Sequence, residues 1–279
     1  MAAMGRLATA RRVLRRHGVA GVASAFRDRY LDNWIGQRIN WCYGRVLEMR
    51  GNAVEIEGCS FSLASPAITT ESKSKFMLNQ YERPEREAVR RFVDPELPVV
   101  ELGGSIGVVS CLTNRKLRNP ERHVVVEANP GLVPLLLLNR DRNGCRFTVL
   151  PRLVAYGRDH APFYASRGNF VIGSGTGMEG RPDVDVVGVD TVSLRSIVEE
   201  NSFERCTLIC DIEGGESDLF RYESDIVRDR VATLILEVHE WAMSKERVEE
   251  VLKGIEALGF RTVFSEADTY AFQKEVFRA

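Results

Sequence analysis

Nowhere does this chain of 279 residues approach the ~20 consecutive apolar residues that cross a bilayer. Its longest mid-chain apolar run, Leu135-Leu136-Leu137-Leu138, is far too short. An apolar signal segment is also missing, because the N-terminal apolar runs are brief and broken by charge. A cytoplasmic location is therefore the expectation. An excess of charge of one sign is lacking too. Lys and Arg number 38 against 39 Asp and Glu, a net charge of −1, so there is no whole-chain electrostatic case for nucleic acid. Cysteines are few and form no Cys-x-x-Cys pair: Cys42, Cys59, Cys111, Cys145, Cys206 and Cys210 are expected as buried free thiols in a reducing compartment rather than zinc ligands or disulfides. There is no internal repeat and no low-complexity tract. What is present suits a soluble globular chain: 44% hydrophobic and 28% charged residues, enough for one large core with a small appendage.

Residues 1–80 read as an N-terminal extension and residues 81–279 as the main domain. The extension is basic to about Arg50, with Arg6, Arg11, Arg12, Arg15 and Arg16 among its charges. Helix is expected there, broken by Gly18 and Gly21. The charges go round the helix, so a solvated appendage packed on the main domain, or on a second subunit in a homodimer, is preferred. Peripheral contact with an anionic membrane at the inner face is the alternative. Residues 52–64 alternate around a glycine as a small β-hairpin, and residues 65–80 are polar enough for a loop or lid.

From Tyr81 the pattern becomes regular. An amphipathic helix runs from near Pro84 to about Phe92. Strands are expected at 97–102, 123–127, 147–154, 162–165, 185–189, 206–212 and 231–238, and a final antiparallel pair at 260–264 and 269–273. Helices are expected at 106–117, 133–143, 192–199, from 216, and 245–258. Gly144 suits a C-terminal cap. Alternating strands and helices imply an α/β fold with a mainly parallel sheet and helices on both faces.

Three clusters carry chemistry. In Val99-Val100-Glu101-Leu102-Gly103-Gly104-Ser105-Ile106-Gly107 a strand ends in glycines that let the backbone turn and approach a ligand. Dinucleotide loops use G-x-G-x-x-G. Here an acid precedes the glycines, and a carboxylate would repel a pyrophosphate but suit a cationic amino group. Glu127 ends the next strand, where a carboxylate can accept hydrogen bonds from both ribose hydroxyls of an adenosine. Cys210-Asp211-Ile212-Glu213-Gly214-Gly215-Glu216 crowds three acids at a strand's C-terminal end, where open sheets bind ligands. Strand alternation would send Asp211 and Glu213 to opposite faces, and Glu216 suits a helix N-cap.

Taken in order, Tyr81-Glu82-Arg83-Pro84, the Glu101–Gly107 loop, Glu127-Ala128-Asn129-Pro130, Asp190 with Leu194, the Asp211–Glu216 block and Leu236-Glu237-Val238-His239 resemble the FkbM family of methyltransferases. Gly215 stands where the family often has alanine, and an insert at 168–181 sets this chain apart. The resemblance implies a Rossmann-like class I methyltransferase fold, with a seven-stranded sheet containing one antiparallel strand. It implies S-adenosylmethionine as cofactor and O-methylation, usually of a sugar or polyketide hydroxyl. By that resemblance Glu101, Gly103 and Gly107 hold the methionine end, with Gly104 and Ser105 in the same loop. Glu127, Ala128 and Asn129 hold the ribose, Ala155 sits near the adenine, and Glu82 stands at the cofactor's mouth. Asp211 and Glu213 line the transfer site, Asp211 touching the cofactor as well.

Methyl transfer from a sulfonium is an in-line displacement, and a hydroxyl acceptor needs a base as the bond forms. Asp211 or His239 is expected in that role, with a glycan or small-molecule hydroxyl as acceptor. No ligand spacing demands a metal and none is expected. An N- or carboxyl-methyltransferase and a non-catalytic cofactor-binding module that recruits partners remain open. A nicotinamide-dependent oxidoreductase is disfavoured by Glu101 and the missing G-x-G-x-x-G.

Overall fold

A computed structural model describes residues 32–166, 184–239 and 244–274. The Arg-rich segment before residue 32, including Gly18 and Gly21, lies outside the described residues, as does the insert at 168–181. The chain opens with α1 (Asp32–Met49) and a hairpin of β1 (Ala53–Ile56) and β2 (Cys59–Ser62). A short helix α2 (Lys73–Met77) follows, then α3 (Arg83–Phe92). Next come β3 (Val99–Leu102), α4 (Val108–Lys116), β4 (His123–Val126), α5 (Val133–Arg142), β5 (Thr148–Leu150) and β6 (Leu153–Val154). The second half holds β7 (His160–Ser166), β8 (Val184–Val192), α6 (Leu194–Glu200), β9 (Cys206–Cys210) and α7 (Glu216–Arg230). It ends with β10 (Val231–Glu237), α8 (Lys245–Ala257), β11 (Phe260–Glu266) and β12 (Thr269–Lys274).

Seven strands form one sheet in the order β11-β12-β10-β9-β3-β4-β5. β3, β4, β5, β9 and β10 pair in parallel, and β12 runs antiparallel between β10 and β11. This is the arrangement expected of a class I methyltransferase. Successive strand residues bury on opposite faces. Val100, Leu102, Leu208 and Leu234 face Ile197, Leu219 and Val251 of α6, α7 and α8. Val99, Ile209 and Ile235 face Ala88, Val89 and Val109 of α3 and α4. Both faces are therefore covered, and every residue of β3, β4 and β9 is buried.

The expected strand at 147–154 divides at Pro151, which has no N–H for a continuing ladder. β5 stays in the large sheet, while β6 joins β8 and β7 in a separate three-stranded sheet. The expected lid at 65–80 is not an open loop. α2 buries Lys73, Ser74 and Phe76, and Phe76 stacks on Tyr81 with ring centroids 4.1 Å apart. The hairpin forms as expected and shares a core with the large sheet: Ile56, Phe61 and Leu63 pack with Val125 and Leu136. Of the thiols, Cys59, Cys111, Cys145, Cys206 and Cys210 are buried and unpaired, but Cys42 is exposed on α1.

Candidate active site

β3 has β4 on one side and β9 on the other, so the sheet's order reverses at its C-terminal end. Ligands of open α/β sheets bind in the crevice at such a switch point. A cavity of about 590 Å³ lies there, a volume suited to a small ligand. It is walled by the turns after β3, β4, β9 and β10, and by α2, the start of α3 and the β11–β12 turn.

The turn after β3 is built for close approach. Gly103 has φ +93°, and a Cβ there would fall 1.8 Å from the backbone oxygen of Asp211. Any side chain would therefore force the ends of β3 and β9 apart. Gly103 and Ser105 line the cavity. Gly104 and Gly107 sit beneath the turn, against Val125 and Leu136. Glu101 also lies beneath it and not in the cavity. It is 1% exposed, accepts a hydrogen bond from Ser110 Oγ at 2.5 Å, and lies 3.1 Å from His123 Nε2. The strand sends that side chain into the α4 layer, so Glu101 braces the turn from below instead of reaching a ligand's methionine end.

Glu127 does face the cavity, with Ala128 and Asn129 beside it. Its Oε2 accepts the Ser105 N–H at 2.7 Å and its Oε1 accepts the Asn129 N–H at 2.6 Å. Each carboxylate oxygen keeps a lone pair for a further donor. Burial raises Glu127 to about 7, opposed by those two N–H donors. Ala155 does not line the cavity. It packs in the small sheet's core, and Leu153, Val154 and Phe163 form that wall instead. Asp190 lies away from the site on β8, 2.6 Å from the exposed His160.

β9 ends at Cys210, and Glu213 takes φ +53° in the following turn. Strand alternation therefore stops short of these acids, and Asp211 and Glu213 converge rather than diverge. Asp211 Oδ1 lies 3.4 Å and Glu213 Oε2 3.3 Å from His239 Nε2, with Glu237 Oε1 at 3.8 Å. On the other ring nitrogen, Nδ1, Glu216 stands at 3.3 Å; it is fully buried and also accepts the Gly214 N–H. Burial works against a charged imidazole, but Glu216, Asp211 and Glu213 outweigh it and raise His239 to about 10. Burial and Glu237 push Asp211 well above the ordinary carboxylate range, with His239 pulling the other way.

Two further acids reach this end of the sheet from α3. Glu82 lines the cavity, and Glu85 is buried at 2% exposure. Burial lifts Glu82 to about 8, and burial with Asp211 lifts Glu85 well above its ordinary range. Tyr81 joins them to the glycine turn through a 2.9 Å hydrogen bond between its hydroxyl and Ser105 Oγ. Glu82, Ser105, Glu213 and Ala267 all have φ near +50° and all line the cavity. Left-handed backbone at non-glycine residues costs of order 1 kcal/mol each and collects at ligand sites. Lys75, Arg152 and Glu85 are members of this region that motif reading passed over. The sequence signal for Glu85 is its place one helical turn after Glu82.

Residues 101–262, more than half of the chain, match the methyltransferase FkbM domain. The chain belongs to the FkbM methyltransferase family. It is an S-adenosylmethionine-dependent methyltransferase. Solved structures with a similar fold include a protein of the NADB-Rossmann superfamily from Streptococcus agalactiae, at 13% identity and TM-score 0.39. That match covers 67% of this chain and 65% of the other, so the chain spans just under two thirds of that protein. An rRNA methylase from Streptococcus thermophilus is 11% identical, covering 70% of this chain and 98% of its own, with TM-score 0.42. Aeropyrum pernix fibrillarin in complex with natively bound S-adenosyl-L-methionine is 10% identical, covering 64% and 66%, with TM-score 0.37. No curated protein sequence matches the chain. No helix among the described residues is long and apolar enough to cross a membrane. The FkbM match begins at Glu101, so this methyltransferase's Tyr81, Glu82 and Glu85 enter the site from outside the matched segment.

Proposed function

We propose that this methyltransferase methylates a hydroxyl group of a sugar, glycan or glycosylated metabolite. The observation that carries the reading is the convergence of Asp211, Glu213 and Glu237 around His239 at the cavity wall. S-adenosylmethionine supplies an electrophilic methyl group on a sulfonium. Residues here fit that cofactor: the Gly103 turn has no room for a side chain, and Glu127 presents acceptor oxygens to the cavity. In this reading Glu127 takes the ribose hydroxyls, and the Gly103–Ser105 turn receives the methionine end with Glu101 bracing it from below.

A hydroxyl is a weak nucleophile and must lose its proton as the new bond forms. His239 has an acid against each ring nitrogen, so both are engaged. Asp211 Oδ1 accepts no hydrogen bond and is the oxygen that takes the proton. The same ring of acids would repel a carboxylate acceptor, which disfavours carboxyl methylation.

The test is incubation with labelled S-adenosylmethionine and acceptor panels of neutral glycosides, amines and carboxylic acids. Label is expected on glycosides, in a product stable to mild alkali as an ether is. Transfer to amines alone, or into an alkali-labile ester, would overturn the reading. Asp211→Asn is expected to lower turnover at saturating cofactor by about 10²-fold or more. Near-normal turnover in both Asp211→Asn and His239→Ala would remove both residues from proton transfer.

A further inference from the structure

Glu82 and Glu85 sit one turn apart at the start of α3, and Asp211 follows β9. The fold brings an oxygen of each to within 4.8 Å of the others. Carboxylates this close, one buried and two half-buried, must carry protons or share a cation. Neighbouring cations offset this only in part. The Arg86 guanidinium is committed to the backbone oxygens of Tyr81 and Asn79 and to Glu57. His239 lies 3.4 Å from Asp211 Oδ1 but is shared with Glu213, Glu216 and Glu237.

Glu85 is the telling member. It is 98% buried, its carboxylate is directed at Glu82 and Asp211, and among the described residues it makes no hydrogen bond or ion pair. Asp211 Oδ1 is a second buried oxygen that accepts no hydrogen bond. An unpaired buried carboxylate is costly, and evolution has many cheaper residues for a helix start.

We propose that Glu82, Glu85 and Asp211 form a site for a hard divalent cation of the Mg²⁺ or Mn²⁺ class in the floor of the cavity. An all-oxygen set of three carboxylates is the donor chemistry such ions select, with water filling the remaining positions. The related group Asp211, Glu216 and His239 is also close enough to meet an ion. There the positive partner is already present as His239, and Glu216 is spent on the Gly214 N–H. Reading ligand spacing along the chain misses the proposed site, because Asp211 lies more than a hundred residues from Glu82 and Glu85. The site stands on the trio's geometry, and an ion held there would take Asp211 out of the proton-accepting role, so the two readings of Asp211 are alternatives that the Mn²⁺ titration separates.

The experiment titrates MnCl₂ into the full chain and follows free Mn²⁺ by electron paramagnetic resonance, with and without saturating S-adenosylhomocysteine. Saturable binding of one Mn²⁺ is expected in both conditions, displaced by Mg²⁺. Glu85→Gln is expected to weaken it about tenfold or more while S-adenosylhomocysteine binding, read by calorimetry, is retained. Absence of binding at millimolar Mn²⁺ would show that the three acids share protons, and would overturn the site. Loss of Mn²⁺ on adding S-adenosylhomocysteine would assign the trio to the cofactor's ammonium group and overturn it equally. Unchanged Mn²⁺ affinity in Glu85→Gln would place the ion elsewhere. If circular dichroism shows Glu85→Gln unfolded, Glu85→Met, which keeps the length and removes the donor, takes its place with the same outcomes. Failure of the unaltered chain to bind S-adenosylhomocysteine would count against the methyltransferase reading, and the Mn²⁺ result would still be read separately.

Discussion

Glu127 shows how one carboxylate does two jobs. Its oxygens hold the Ser105 and Asn129 N–H groups, fixing two turns of the site, and its remaining lone pairs face the cavity. Its ionisation links both jobs to pH. Folding raises it from the ordinary 4.5 to about 7, so the folded chain binds more protons than the unfolded chain between those values. The stability it contributes is therefore present below about 4.5 and is lost as pH rises through about 7. Urea denaturation from pH 5 to pH 8 is expected to show that fall, and Glu127→Gln to flatten it. Ribose hydroxyls favour the ionised carboxylate. S-adenosylhomocysteine affinity is thus expected to rise with pH up to about 7 and then level off, and Glu127→Gln to weaken it about tenfold or more at pH 8. Calorimetry across pH checks both, and an affinity independent of pH in the unaltered chain would count against Glu127 as the ribose ligand.

Elements are joined by buried polar contacts as much as by apolar packing. Hairpin strand β2 presents an edge to α5, and two asparagines one turn apart receive it. Asn139 accepts the Ser62 N–H at 2.7 Å and donates to Ser62 and Ile106 oxygens. Asn143 does the same for Ser60. These amides stand in for a neighbouring strand and close the edge. Asn139→Leu would leave the buried Ser62 and Ile106 groups unmatched, at a cost of about 1–3 kcal/mol each. Its thermal midpoint is expected to fall markedly, and an unchanged midpoint would show that the hairpin docks by apolar contact alone. α1 packs through Gly44, where a Cβ would fall 1.7 Å from the Thr70 backbone oxygen. Alanine is otherwise favoured over glycine inside helices by about 1 kcal/mol. Gly44→Ala is expected to destabilise the chain against that preference, as chemical denaturation can show.

At the scale of the whole molecule, the cavity draws walls from four strand ends, α2, α3 and the β11–β12 turn. A ligand bound there ties these elements together and stabilises the folded state by mass action, about 2.7 kcal/mol at a hundred times its dissociation constant. For a chain of this size that corresponds to a thermal shift of roughly 5–10 °C. S-adenosylhomocysteine is expected to give such a shift and NAD to give none. A comparable shift with NAD would argue for a different cofactor.

The large sheet was legible in the sequence because its strands are short apolar runs ended by glycine or acid, and its helices keep an amphipathic period. The Glu101–Gly107 turn, Glu127 and the Asp211–Glu216 block were legible because each is contiguous, so the backbone alone keeps its members together. Other features depended on distance in space. Glu101 was misplaced because the strand's pleat, invisible in a motif, turns it under the helix α4. Asp211 and Glu213 converge because a left-handed turn replaces the strand at Cys210. Pro151 was visible, but which sheet β6 would join was not, since strand pairing is non-local. The sequence alone determined the fold class, the family and most of the turns that line the cavity, because those rest on local pattern. Tertiary structure alone decided that His239 is ringed by acids, and that Glu85, unremarked in any motif, stands beside Asp211. Those arrangements arise where segments distant in the chain meet around one cavity, and local pattern carries no record of such meetings.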